Sequence, residues 1–266
     1  KLYSSVVQKI NEGPRAVSGG GKVVLVGDTS VAKSAGYDAS VGAFTAPATG
    51  GTLTLSSEGG ARLVFPDGGR FFCTGDTTFE NITFYNANKK TLVVAGRFFA
   101  LTFGDGVVMD NIEVHVVGGM EHTNATVTVP DDDYSRDAHI TLESGRFAEV
   151  TGLGRNTGKA SFNPNYTGAA YITISGDATV DKVFGAFRWG GKAQNTARVY
   201  ITLDGGAVTN FVTACGSEKI TYTVDATVTL TEKFDPAAYF KGVNETGWST
   251  SGVWHGLTGG PAFGQV

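Results

Sequence analysis

Cysteine, proline and charge are all scarce in this chain, and each shortage removes a class of protein. Only two of the 266 residues are cysteine, Cys73 and Cys215. They stand far apart without metal-like spacing, which excludes a disulfide-stapled miniprotein and a cysteine-based zinc site. Both are expected as buried free thiols, with a disulfide between distant turns of the chain as the alternative. Charged residues make up 17% of the chain, the net charge is −4, and no long run of either sign occurs. That leaves neither a nucleic-acid groove nor a polybasic membrane face. No apolar stretch approaches the ~20 residues of a membrane span, and Lys1 to Lys9 has no apolar signal core, so a soluble mature chain without membrane insertion is expected.

Catalytic signatures are missing too. The four histidines, His115, His122, His139 and His255, are scattered, and no serine or cysteine sits in a nucleophile motif, which excludes a hydrolytic triad. The G-x-G patterns precede strands rather than helices, so no phosphate loop is present.

What the chain has in quantity is glycine, 38 residues with only seven prolines, among many threonines and valines. This is material for short strands joined by tight turns. Five segments repeat one pattern, a β-rich run, a Gly/Asp/Ser turn pair and a second run: residues 71–84, 98–114, 139–154, 171–187 and 200–216. Aligned on Ile82, Ile112, Val150, Val183 and Phe211, they are separated by 30, 38, 33 and 28 residues. A constant pattern at variable spacing fits a β-solenoid, whose coils absorb extra residues as external loops. The turn pairs are Gly75-Asp76, Asp105-Gly106, Ser144-Gly145, Gly176-Asp177 and Asp204-Gly205, residue types that tolerate a left-handed backbone.

Alternation such as Ile140, Leu142 and Ile201, Leu203 puts apolar side chains on one face. Asn81, Asn111, Glu149, Lys182 and Asn210 precede the anchors. The three asparagines suit an inward amide ladder, whereas Glu149 and Lys182 suit an outward position. Residues 22–31 and 51–65 supply earlier strands, and Leu2 to Val17 reads as an amphipathic cap with Val6, Val7 and Ile10 on one side. One domain is expected: an all-β right-handed parallel β-helix with its N-terminal cap over 1–235, and an irregular C-terminal cap or tail over 236–266.

The units FENITF and YITLDGGAVTN, and the opening KVVLVGDTSV followed by GTLTLSSEGG, resemble right-handed β-helix repeats of large surface proteins from Gram-positive anaerobic bacteria, within the pectin-lyase-like superfamily. The resemblance covers roughly residues 20–235. It implies a secreted or cell-surface location, and a fold that carries lyases, glycosidases, adhesins and binding modules alike.

Three insertions, 118–138, 155–169 and 188–198, leave the repeat at comparable points, so they should emerge side by side on one flank. That flank would gather Tyr134, Arg136, Arg155, Lys159, Tyr166, Arg188, Trp189 and Lys192 as a sugar-binding surface, since rings cover a pyranose face while charged groups bond its hydroxyls and carboxylates. Asp132, Asp133 and Asp137 are the weak candidates for catalytic carboxylates, with Glu143 as a further partner, and Asp131, Asp132 and Asp133 for a Ca²⁺ site. No cofactor is otherwise expected. The first functional reading is a non-catalytic, monomeric carbohydrate-binding or adhesion module of a larger bacterial surface protein, whose partner is a polysaccharide or host glycan. The alternatives are a polysaccharide lyase or glycoside hydrolase using the same loops, and an adhesin for a host surface protein or a structural spacer.

Overall fold

The computed structural model describes residues 20–31, 52–65, 67, 69–73, 75–122, 134–156, 165–188, 192–193, 197–213, 216–217, 225–235 and 256–258. The proposed N-terminal cap lies outside them, as does the C-terminal tail apart from the short strand Gly256–Thr258. The described residues are all-β. None forms a helix long and apolar enough to cross a membrane.

Among the described residues every strand pairing is parallel, and the principal sheet has 13 strands and is strongly curled into two wings. Along the first wing lie Gly20–Leu25, Thr52–Ser57, Thr77–Phe79, Leu101–Phe103 and Ala138–Leu142. The second wing holds Arg70–Phe72, Thr91–Ala95, Glu113–Val117 and Arg146–Thr151. Two long strands, Ala170–Phe184 and Arg198–Thr213, run through both wings and join them. A four-stranded corner sheet holds Thr29–Ser30, Arg62–Val64, Thr83–Tyr85 and Val108–Asp110. A four-stranded side sheet holds Met120–His122, Gly154–Asn156, Phe187–Arg188 and Gly216–Ser217. The chain visits these ladders in a fixed order and returns one strand further along, a path compatible with a β-solenoid.

The alternation seen in the sequence sets the core. In the first wing Leu55, Phe79, Phe103, Leu142, Ile174 and Leu203 stand in one register column, and each is buried. Phe103 stacks on Phe79 at 5.0 Å between ring centroids and meets Phe147 edge-on at 4.8 Å. A buried side chain of this size contributes roughly 1.5–3 kcal/mol. The opposite face carries a column of Thr54, Thr78, Thr102, Thr141, Thr173, Thr202 and Thr229, β-branched residues suited to an extended backbone. Cys73 is a buried free thiol, which burial pushes up to about 12. Cys215 lies outside the described residues.

Gly106, Gly145, Gly176 and Gly205 adopt positive φ at the turns, as expected from their turn pairs. The register itself needs a correction. Val150 does pair with Val183, but its other neighbour is Val116, and Val183 continues to Val212 rather than Phe211. Ile82 and Ile112 belong to neither column. Ile82 leads into the corner sheet, and Ile112 leads into Glu113–Val117 of the second wing. The physical reason is that the corner sheet stops at Val108–Asp110 and later turns pass straight from the first wing to the second, while the first turn pair, Gly75-Asp76, stands before the first-wing strand Thr77–Phe79, so one turn signature occurs at three different places in the coil. Nor is there an inward asparagine ladder. Asn81 and Asn111 are exposed, with φ of 45° and 52°, and Asn111 Nδ2 donates to the Asn86 carbonyl at 2.7 Å.

Candidate functional site

The three insertions fall between the side sheet and the first wing. The strands before them, Met120–His122, Gly154–Asn156 and Phe187–Arg188, are neighbours in the side sheet. Those after them, Ala138–Leu142, Ala170–Phe184 and Arg198–Thr213, are neighbours in the first wing. The insertions therefore leave and rejoin the ladders on one flank. Of the residues assigned to this flank, Asp131, Asp132, Asp133, Lys159 and Trp189 lie outside the described residues. Lys192 sits on a strand paired with Asn165.

The remaining flank residues separate into two groups. Tyr166 is 1% exposed and belongs to the core, its ring 5.1 Å from Tyr134 and 4.9 Å from Phe187. Tyr134 is half-buried against the same core. Arg155 is buried, with Nε 3.2 Å from Glu149 Oε1 and Nη1 3.6 Å from Glu121 Oε1. Arg188 pairs with the second Glu149 oxygen and lies over the Phe184 ring. Arg136, by contrast, is exposed, its guanidinium 4.6 Å above the Phe99 ring. Asp137 is exposed and accepts the Ala169 N–H at 2.8 Å, tying two adjacent turns of chain.

Where the insertions return, three rings stand in one outward column of the first wing. His139 pairs in register with Tyr171, and Tyr171 with Tyr200. The His139 and Tyr171 rings stack at 4.6 Å and 2°, the two tyrosines at 4.9 Å and 10°. His139 is exposed and both tyrosines are half-exposed. One step before Leu101, the column continues to Ala100, so no ring of the column covers the underside of His139. The stack thus offers an imidazole face, ring edges and two phenol hydroxyls, a mixture of apolar and hydrogen-bonding surface that suits sugars. Sequence reasoning missed it, although the signal was present: each ring immediately precedes Ile-Thr in its repeat.

A second feature is the charge cluster around Glu149, on the outer face of the second wing. Glu149 and Glu121 have side chains 2% and 0% exposed. Arg155, Arg188 and Arg70 reach them from three strands. His115 completes the group, its Nε2 donating to Glu113 Oε1 at 2.7 Å, with Nδ1 3.9 Å from Glu149 Oε2. Burial, and then the Arg155 guanidinium, push His115 down to about 4 from its usual 6.5, against the raising effect of Glu113. The His115 hydrogen bond in turn holds Glu113 below the ordinary carboxylate range.

This sets a pH dependence. Between about 6.5 and about 4 the unfolded chain binds a proton at residue 115 that the folded chain refuses, so stability falls as pH falls through that window. The full contribution is on the order of 3 kcal/mol. His115→Gln should flatten the urea midpoint between pH 7 and pH 4.5. An imidazole NMR titration of the folded protein centred near 6.5 would contradict this assignment.

Among the described residues, no group of three or more His, Cys, Asp or Glu side chains is arranged to hold a metal ion. The chain matches no protein-family model, no curated protein and no solved structure.

Proposed function

We propose that this chain is a non-catalytic, extracellular right-handed parallel β-helix module, of the pectin-lyase-like kind, that binds polysaccharide or host glycan as part of a larger bacterial surface protein. The observation that carries this reading is the outward His139–Tyr171–Tyr200 stack at the return point of three neighbouring insertions. Arg136 stands exposed three residues before His139 and supplies a fixed positive charge for a sugar carboxylate or hydroxyl. Pre-ordered rings suit weak, repeated contacts along a polymer, because they lose little side-chain freedom on binding.

The test is a glycan array of plant and mucin structures. The wild-type chain should give hits that weaken about tenfold or more in Tyr171→Ala/Tyr200→Ala, in line with loss of about 1.4 kcal/mol. Removing the ring contacts costs roughly 0.5–1.5 kcal/mol per pair in stability, so a melting curve confirms that the variant is folded. An array without hits, or hits that persist unchanged in the double variant, would defeat the proposal.

A further inference from the structure

Two phenols of the outward column stand in a geometry that bears on their oxidation. Tyr171 and Tyr200 occupy paired register positions of Ala170–Phe184 and Arg198–Thr213, so the ladder holds their backbones about 4.8 Å apart. Their rings lie face to face, 4.9 Å between centroids and 10° between planes. Both are half-exposed, within reach of a solvent-borne oxidant. Thr227 follows Tyr200 in the column, and Thr173 and Thr202 stand beside the pair on the same outward face. These short side chains leave the rings room to turn.

A second tyrosine pair shows what this geometry adds. Tyr134 and Tyr166 meet edge-on at 5.1 Å and 77°, and Tyr166 is 1% exposed. Their faces do not overlap, and the buried ring is shielded from any oxidant in solution. In the Tyr171–Tyr200 pair, overlap of the faces sets the carbons ortho to one hydroxyl against the other ring before either is oxidised. Coupling is then intramolecular, and prior alignment of two reacting groups raises their effective concentration by orders of magnitude.

We propose that Tyr171 and Tyr200 are a site of oxidative cross-linking, joined as a dityrosine by a haem peroxidase with hydrogen peroxide. Each phenol gives one electron to the oxidant and its hydroxyl proton to water. The two phenoxyl radicals, delocalised onto their ortho carbons, pair their unpaired electrons in a new carbon–carbon bond. Each bonded carbon then releases its hydrogen as a proton and each ring oxygen takes one up, which restores both phenols. The two electrons and two protons removed reduce one hydrogen peroxide to two waters. The product ties two adjacent turns of chain covalently. This inference rests on the ring geometry and not on the glycan reading: the cross-link is read without sugar and the array without oxidant, so each fails independently.

The test treats the whole chain with horseradish peroxidase and hydrogen peroxide, then digests it with trypsin. Dityrosine fluorescence is expected, together with a joined pair of peptides, 160–182 and 199–219, lighter by two hydrogen atoms than their sum and linked through Tyr171 and Tyr200 on tandem mass spectrometry. The yield per chain should not change on dilution of the protein. It should fall about tenfold or more in Tyr200→Phe, which keeps the ring stack, and in wild type unfolded by urea, where the alignment is lost. Tyr134→Phe should couple as wild type does. The proposal is overturned if no 171–200 linkage forms, if its yield is the same in urea, if it falls in proportion to protein concentration, or if the dityrosine fluorescence of Tyr200→Phe equals that of wild type.

Discussion

Glu149→Ala is expected to destabilise the fold by about 3–5 kcal/mol, the range for removing one partner of a buried ion pair. Glu149 holds Arg155 through one oxygen and Arg188 through the other, and the arginine side chains are only 9% and 19% exposed. Without the carboxylate, two desolvated guanidinium groups face a neutral His115 and share what Glu121 can offer. Glu149→Gln keeps the volume and should be nearly as costly, because the amide removes the charge while leaving the arginines in place. Urea unfolding at pH 7 measures both. A loss below about 1 kcal/mol for Glu149→Ala, the level of an exposed pair, would mean that the arginines find water when the glutamate is gone.

Gly152→Ala should cost about 3 kcal/mol or more, at the upper end of what a single added carbon does in a packed site. The reason is close approach of backbone. Gly96, Gly118, Gly152 and Gly185 stand one above another just past the second wing, each following a registered residue of that ladder. A Cβ on Gly152 would lie 1.9 Å from the Gly185 carbonyl oxygen and 2.7 Å from Ala170 Cβ. The same carbon on Gly118 would meet the Gly152 carbonyl at 2.4 Å. Main-chain atoms held by two ladders cannot step aside. Gly27→Ala is the control, since nothing lies within 4 Å of its Cβ position, and it should stay within about 0.5 kcal/mol of wild type. Equal urea midpoints for the two variants would refute the packing account.

The regions of the fold legible in the sequence were those governed by local chemistry. Apolar alternation placed Leu142, Ile174 and Leu203 in one buried column, and the glycines at 106, 145, 176 and 205 marked the turns. Register across turns was not local. The anchors Ile82 and Ile112 went astray because the turn pair does not mark one place in the coil: Gly75-Asp76 opens onto the first-wing strand Thr77–Phe79, Asp105-Gly106 onto the corner strand Val108–Asp110, and Ser144-Gly145 straight onto the second wing. Burial of Glu149 was equally hidden, since it depends on Arg155 and Arg188 arriving from the side sheet. A charged residue before an apolar anchor reads as solvent-facing until that second layer is known. The insertions were legible as a flank, yet Tyr166 and Arg155 turn inward from it while His139, Tyr171 and Tyr200, counted as ordinary strand residues, face out.

Because every described ladder is parallel and the turns stack in series, tension between the outermost described first-wing strands, Gly20–Leu25 and Asp225–Leu230, would pull along the inter-strand hydrogen bonds rather than shear them. Such rungs break singly, each in its turn, and resist weakly. The Glu149 cluster interrupts that sequence, since His115 and Glu121 come from one turn of chain, Glu149 and Arg155 from the next, and Arg188 from the one after. The two junctions between those three turns must then yield together, which makes the middle of the module a mechanical clamp and its ends the regions that unravel first under load.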